Sequence, residues 1–234
     1  MVAVSLITSF VTAAFGIGGG VILLATLAVL LPPAALIPVH GAVQIGSNVG
    51  RTLLMLRQVE TSGILPFFLG SVVGAALGGV LFVEFPPWLI QLAIAGFILW
   101  SIIGRLPAIG RRHIFAAGAV SSFLTMLFGA TGSIVAAMVK TMQLPPLNHV
   151  ATHSALMSIQ HSLKIMAFGF LGFAFAPYLP LIFAMILSGF LGTVIGRHVL
   201  VRMGHSYFKP ILNGILLLLA LRLIWSALQT LYGS

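Results

Sequence analysis

Apolar residues in this 234-residue chain run in long stretches separated by short polar interruptions. Eight segments emerge, at roughly residues 2–31, 37–57, 63–83 and 87–104, then 113–143, 148–171, 177–200 and 208–230. The runs are continuous rather than alternating, so they predict helices and not the strands of a lipid-facing barrel. The second and sixth segments differ from the others in carrying polar residues along one face. The first and fifth are too long for one straight span, and glycine-rich breaks cut them: Gly16-Ile17-Gly18-Gly19-Gly20 and Gly129-Ala130-Thr131-Gly132-Ser133. Each piece is about 14 residues, or about 21 Å, short of a hydrocarbon core of about 30 Å. Non-helical backbone at that depth is tolerated only where protein or a water-filled cavity receives its polar groups. The pattern predicts an all-α, polytopic integral membrane protein whose segments one and five are broken or re-entrant. A broken helix that still spans is the alternative.

The two halves repeat one another. Phe15–Leu53 lays onto Phe128–Met166 without a gap, at a constant offset of 113. Phe15-Gly16 meets Phe128-Gly129, Gly19 meets Gly132, and Leu31-Pro32-Pro33 meets Leu144-Pro145-Pro146. His40 meets His153, and Arg51 meets Lys164. The later segments align with small gaps, Leu65-Pro66 with Leu179-Pro180 and Leu77-Gly78 with Leu191-Gly192. These identities fall on glycines, prolines and embedded polar residues rather than on filler Leu and Val. Many secondary transporters are built by such duplication, with the substrate site where the repeats meet, and alternating access by one repeat rocking against the other is the expected mechanism. The expected organisation is a first transmembrane repeat over residues 1–104 and a second over 113–234.

Composition agrees: 60% of residues are hydrophobic and 6% charged, against roughly 25% charged in a soluble domain. The formal net charge of +9 does not imply nucleic-acid binding, because the basic residues sit in short loops where the positive-inside rule expects them. Only Glu60 and Glu84 are acidic, and the absence of cysteine removes disulfides and thiolate metal sites. The N-terminus resembles a signal-peptide core, but no Lys or Arg precedes it and the apolar stretch runs past Ala14, so it is expected to be mature structure.

Charge also orients the segments. Were all eight to cross, Arg57, Arg105, Arg111 and Arg112 would face one side and Lys140, Arg197, Arg202 and Lys209 the other. If segments one and five enter and leave by one side, all these cations share a face, which is then cytoplasmic. Each half makes three crossings in that case, and the halves are inverted.

Segment two places His40, Gln44, Ser47, Asn48 and Arg51 on one helical face; segment six carries His149, His153, Gln160, His161 and Lys164. A cation deep in a bilayer costs a few kcal/mol or more, so it normally faces a cavity or a partner. Glu60 and Glu84 stand at segment ends, which makes a bound anion the simplest neutralising species for Arg51 and Lys164. Snorkelling to the interface is the competing reading, and for His40 and His153 a structural interhelical hydrogen bond competes with ligand contact. The breaks add backbone donors: a half-helix starting after Gly20 or Ser133 would point unpaired N–H groups and a positive dipole end inward. The candidate substrate-binding set is therefore Gly18, Gly19, Gly20, His40, Gln44, Asn48, Arg51, Thr131, Gly132, Ser133, His153, Gln160, His161 and Lys164. The glycines at 74, 78, 79, 189, 192 and 196 read as packing surfaces. His149 and His153, one turn apart, could bind a metal, but without Cys or Asp a ligand set is hard to complete, and no metal or cofactor is expected. Ser133 with His153 is a weak case for a protease, and no enzyme is expected. Any proton relay would have to use His40, His153 or His161.

Phe15-Gly16-Ile17-Gly18-Gly19-Gly20, the following Leu31-Pro32-Pro33, a polar second segment and a degenerate second copy together resemble the sulfite exporter TauE/SafE family of bacterial permeases. The resemblance spans nearly the whole chain. It implies a multi-pass protein of the inner membrane that transports a small, often sulfur-containing anion such as sulfite or an organosulfonate. An anion channel of the same architecture, or a histidine-dependent metal transporter, are the alternatives. A small anion and membrane lipid are the expected partners, with a homodimer open and nucleic acid excluded. Two departures stand out. The family commonly has a proline shortly after the glycine run, where this chain has Ala25 and Thr26. Many members have Thr-Ser where this chain has Val39-His40, with Thr152-His153 in the second copy. The histidines set this chain apart and leave its substrate open.

Overall fold

A computed structural model describes residues 1–15, 18–82, 86–103, 110, 113–200 and 208–232. These residues form ten α-helices and no strand. The helices are α1 (Val2–Phe15), α2 (Gly19–Leu30), α3 (Pro33–Leu54), α4 (Ile64–Phe82) and α5 (Pro87–Ile103), then α6 (Ile114–Phe128), α7 (Gly132–Lys140), α8 (Pro146–Phe170), α9 (Leu179–Leu200) and α10 (Phe208–Tyr232). The long first and fifth segments are each two helices, as their glycine breaks predict. Gly18 opens α2 at φ 103°, and Gly129 closes α6 at φ 87°, both in the left-handed region that favours glycine. The helices on either side of each break pack against one another. A Cβ at Gly19 would overlap the Thr8 carbonyl oxygen of α1. Thr131 Oγ1, at the start of α7, donates to the Ser121 carbonyl of α6 at 3.0 Å.

One segment is shorter than expected. Instead of about 14 residues, α7 has nine, because Thr141, Met142 and Gln143 form a turn after Lys140. That turn ends at Gln143, which at φ 55° is the one non-glycine residue with positive φ among those described. The two polar helices begin alike: Pro32 (φ −56°, ψ 142°) caps α3 and Pro145 (φ −53°, ψ 152°) caps α8, each followed by a proline at N1. There the missing N–H costs nothing.

Tertiary packing interleaves the halves. The most extensive pairings are α4 with α6 and α1 with α9; α5 lies on α10, and α3 crosses α8 at the centre. Glycines set the first two. Cβ atoms at Gly70 and Gly74 would overlap the Phe115 and Ala119 carbonyl oxygens of α6, and one at Gly192 the Leu6 carbonyl oxygen of α1. Gly196 lies close to the Phe10 carbonyl and the Ala14 amide, so backbone lies on backbone in both pairs. Serine hydroxyls seal the α1–α9 contact: Ser5 Oγ donates to the Met185 carbonyl at 2.7 Å and Ser188 Oγ to the Val2 carbonyl at 2.8 Å. Of the glycines expected to pack, Gly79 makes only ordinary contacts, to Leu171, Met126 and Ala167.

Polarity runs inside out. Leu65, Phe68, Leu69, Leu77 and Val80 on α4 are exposed, as are Phe183, Leu187 and Leu191 on α9. Arg51 and Lys164 are among the largest fully buried side chains, with His40, Gln160 and His161 buried as well. An apolar exterior around a polar centre is the distribution that lipid, not water, selects. Ile64–Leu81 and Ala176–His198 are long and apolar enough to cross a membrane unaided; the apolar stretches in α1, α2, α5 and α6 are shorter. Gly16, Ile17, Glu84, Arg105, Arg111, Arg112 and Arg202 lie outside the described residues, so that part of the charge reading is not placed.

Candidate functional site

The two polar stripes meet where α3 crosses α8, flanked by the breaks between α1 and α2 and between α6 and α7. Arg51 sits on the last turn of α3. Its Nη1 donates to Asn48 Oδ1 at 3.2 Å and to Ser154 Oγ of α8 at 3.4 Å, and its Nη2 donates to Ser47 Oγ at 3.1 Å. Ser47 Oγ in turn lies 3.0 Å from Ser9 Oγ of α1. These partners are all neutral, and Nε has no partner among the described residues. Asn48 is oriented for its role by donating Nδ2 to the Gln44 carbonyl at 2.8 Å.

Lys164 reaches across from α8. Its stem passes over Gly41 of α3, where a Cβ would come within 2.8 Å of Lys164 Cδ. Its Nζ donates to the Gly129 carbonyl at 2.7 Å, at the C-terminal end of α6. A cation is favoured there by the helix dipole, and one of the three ammonium donors is used. Snorkelling, the competing sequence reading, does not describe either cation: Arg51 is 1% exposed and Lys164 0%.

The remaining residues fill the space between. Gln160 Nε2 donates to Ser121 Oγ at 3.0 Å and Ser122 Oγ at 3.2 Å, and its Oε1 lies 3.4 Å from Thr131 Oγ1. Ser122 and Gln160 stand 113 residues after Ser9 and Ser47, and Ser154 stands 113 after Gly41, so these polar and small residues keep the repeat offset, while Arg51 bonds side-chain oxygens and Lys164 a backbone carbonyl. Both break glycines meet a histidine: His40 Nε2 lies 3.0 Å from the Gly20 carbonyl and His153 Nε2 3.0 Å from the Gly132 carbonyl. A carbonyl only accepts, so in both rings Nε2 carries the proton and Nδ1 offers a lone pair. The structural hydrogen bond weighed for His40 and His153 is therefore present, made to backbone rather than to a side chain. Gln44 packs its amide against Gly20. Gly18 accepts the Ile22 N–H at 3.2 Å within α2.

Several buried atoms here lack a partner among the described residues: His40 Nδ1, His153 Nδ1, both ring nitrogens of His161, Ser133 Oγ and Arg51 Nε. An unmet buried polar atom costs about 1–3 kcal/mol. Such a cluster on the facing stripes therefore favours a polar occupant. Among the described residues no three His, Cys, Asp or Glu side chains converge to hold a metal ion. Sequence reasoning missed Ser9, Ser121, Ser122 and Ser154. The signal was present for one pair, because Ser9 and Ser122 align at the repeat offset.

Among the described residues, an all-helical build with an apolar exterior, interleaved halves and a buried cation-bearing centre fits a membrane transport protein. The chain belongs to the sulfite exporter TauE/SafE family, whose model matches residues 1–223. No curated protein and no solved structure matches it.

Proposed function

We propose that this protein is a multi-pass permease of the bacterial inner membrane that carries a small, sulfur-containing anion between the α3–α8 crossing and the two breaks. One observation carries the reading: Arg51 and Lys164, at matching positions in the two halves, are fully buried and bonded only to neutral oxygens. The family supplies the substrate class, sulfite and related sulfur oxyanions or sulfonates. Arg51 and Lys164 supply charge, Ser133 and the break N–H groups supply directional donors, and Thr131, whose hydroxyl already donates to the Ser121 carbonyl, holds the second break in place. Gln44, Asn48, His40, His153, Gln160 and His161 line the path and tune selectivity.

The same reading assigns the chain two duplicated units, 1–104 and 113–234, inverted in the membrane, with the α1–α2 and α6–α7 pairs re-entrant. The packing of α1 on α2 and of α6 on α7, and the burial of both cations at the repeat offset, support it. Alternating access would then not move one half against the other, because that would tear glycine-sealed contacts between halves. The pairs α1–α9 and α4–α6 would instead move as units about the α3–α8 crossing.

The test is thermal stabilisation of purified protein by a panel of sulfite, sulfate, thiosulfate, methanesulfonate and acetate, with Arg51→Gln alongside. Stabilisation by one sulfur anion, lost in the variant, is expected. Stabilisation by none of them, in protein that melts cooperatively, would sink the site.

A further inference from the structure

His40 and His161 face each other across the α3–α8 crossing with ring centroids 6.0 Å apart and planes at 76°. Both are 0% exposed. The single N–H of neutral His40 is committed to the Gly20 carbonyl, so its Nδ1 can only accept until it takes a further proton. His161 has no partner at either nitrogen among the described residues. A lone pair directed into an anion site opposes the anion, whereas the same nitrogen once protonated becomes a charge-assisted donor to it. The charged and titratable groups around the pair are Lys164 and His153 on α8. The described carboxylate near α8, Glu60, meets that helix through its backbone at Thr152, more than two turns from His161. With a cation beside them and no carboxylate at hand among the described residues, an arriving anion is what makes a proton on the two rings favourable.

We infer that the His40–His161 pair is a proton-binding site, and that the anion is bound and carried together with one proton held by this pair. This rests on the anion reading above and adds the coupling ion, which that reading leaves open. One proton serves both rings, because two imidazolium ions against Lys164 would repel. By reciprocity the proton raises anion affinity by the same factor as the anion raises proton affinity.

The experiment is calorimetric titration of purified protein with thiosulfate, sulfate and methanesulfonate, whose charges stay fixed between pH 5.5 and 8. For an anion that binds, one linked proton makes affinity rise by up to about tenfold per unit of acidification across the titration range. The variants are the double substitution His40→Gln with His161→Gln, and His153→Gln as comparator. Glutamine at 40 keeps a donor for the Gly20 carbonyl but takes no proton. The expected result is a pH slope in wild type, kept by His153→Gln whatever its affinity, and lost in the double variant. Should the double variant not fold, each single variant must displace the midpoint of the slope and His153→Gln must not. Binding with no slope in wild type, or a slope abolished by His153→Gln, overturns the proton site and leaves the anion reading standing. No binding of any anion at any pH overturns the anion reading itself, and the proton site with it.

Discussion

Adding one methyl group at Gly74 or Gly192 tests the interleaved packing. At Gly192 the new Cβ would overlap the Leu6 carbonyl oxygen and stand 2.9 Å from Leu6 C and 3.0 Å from Phe10 N. At Gly74 it would overlap the Ala119 oxygen and stand 2.8 Å from Ala119 C and 2.9 Å from Phe123 N. Those atoms are backbone, so no rotamer change relieves the clash and the paired helices must part by roughly 1–1.5 Å to reach normal contact. Such overpacking costs about 1–3 kcal/mol. Because the obstacle is backbone, the cost falls at the top of that range; alanine returns up to about 1 kcal/mol of helix propensity, leaving a net loss of about 2 kcal/mol. Gly96→Ala is the control: nothing lies within 4 Å of its Cβ, so the propensity gain is uncompensated. Thermal unfolding of purified protein, followed by tryptophan fluorescence, reads the difference. At about 2–4 °C per kcal/mol for a chain of this size, Gly74→Ala and Gly192→Ala should melt several degrees below wild type and Gly96→Ala at or above it. Either packed variant melting at or above wild type would refute the close backbone approach.

Other perturbations probe the site and topology. Ser154→Ala removes one bond to Arg51 at 3.4 Å and leaves those to Asn48 and Ser47. It should weaken anion affinity by only a few-fold, about 1 kcal/mol, in the same calorimetric titration, whereas a complete loss would mean that Ser154 itself holds the anion. Lys164→Gln leaves the Gly129 carbonyl bond partly replaceable, so the protein should stay folded by size exclusion while anion stabilisation disappears; undiminished stabilisation would reduce Lys164 to a cap on α6. Cysteines introduced at Ala34 and Leu147, in the first turns of α3 and α8, should react with impermeant thiol reagents from opposite membrane faces. Labelling of both from one face would reject the inverted arrangement.

Much of this architecture is written locally, where chemistry leaves few choices. Gly16–Gly20 and Gly129–Ser133 announce breaks because helices long enough to span do not need them. Pro33 and Pro146 announce helix starts, since proline fits the first turn and little else. Arg51 and Lys164 announce a polar interior, because lipid cannot host them cheaply. What the chain does not display is partnership at a distance. The glycines of α4 and α9 mark faces that backbone can approach, but nothing local says that α6 and α1 fill them. Ser154 lies 103 residues from the arginine it contacts, and Gly129 lies 35 residues from Lys164. A small serine on an apolar helix reads as filler until the fold aims a cation at it. The length of α7 failed for a different reason. The fifth segment reads on to Gln143 at the level of its pattern, but α7 ends at Lys140 and the chain leaves it through a turn that closes at Gln143 in the left-handed region.

The most direct measurement is counterflow of labelled sulfite, thiosulfate or sulfate into proteoliposomes preloaded with the same unlabelled anion, for wild type, Arg51→Gln and Lys164→Gln. The account predicts saturable counterflow of at least one of these anions in wild type and its loss in both variants, each still folded and reconstituted to equal amounts. Unchanged counterflow in the two variants would contradict it by removing the buried cations from the transport path. Non-saturating flux without exchange would contradict the carrier and indicate a channel.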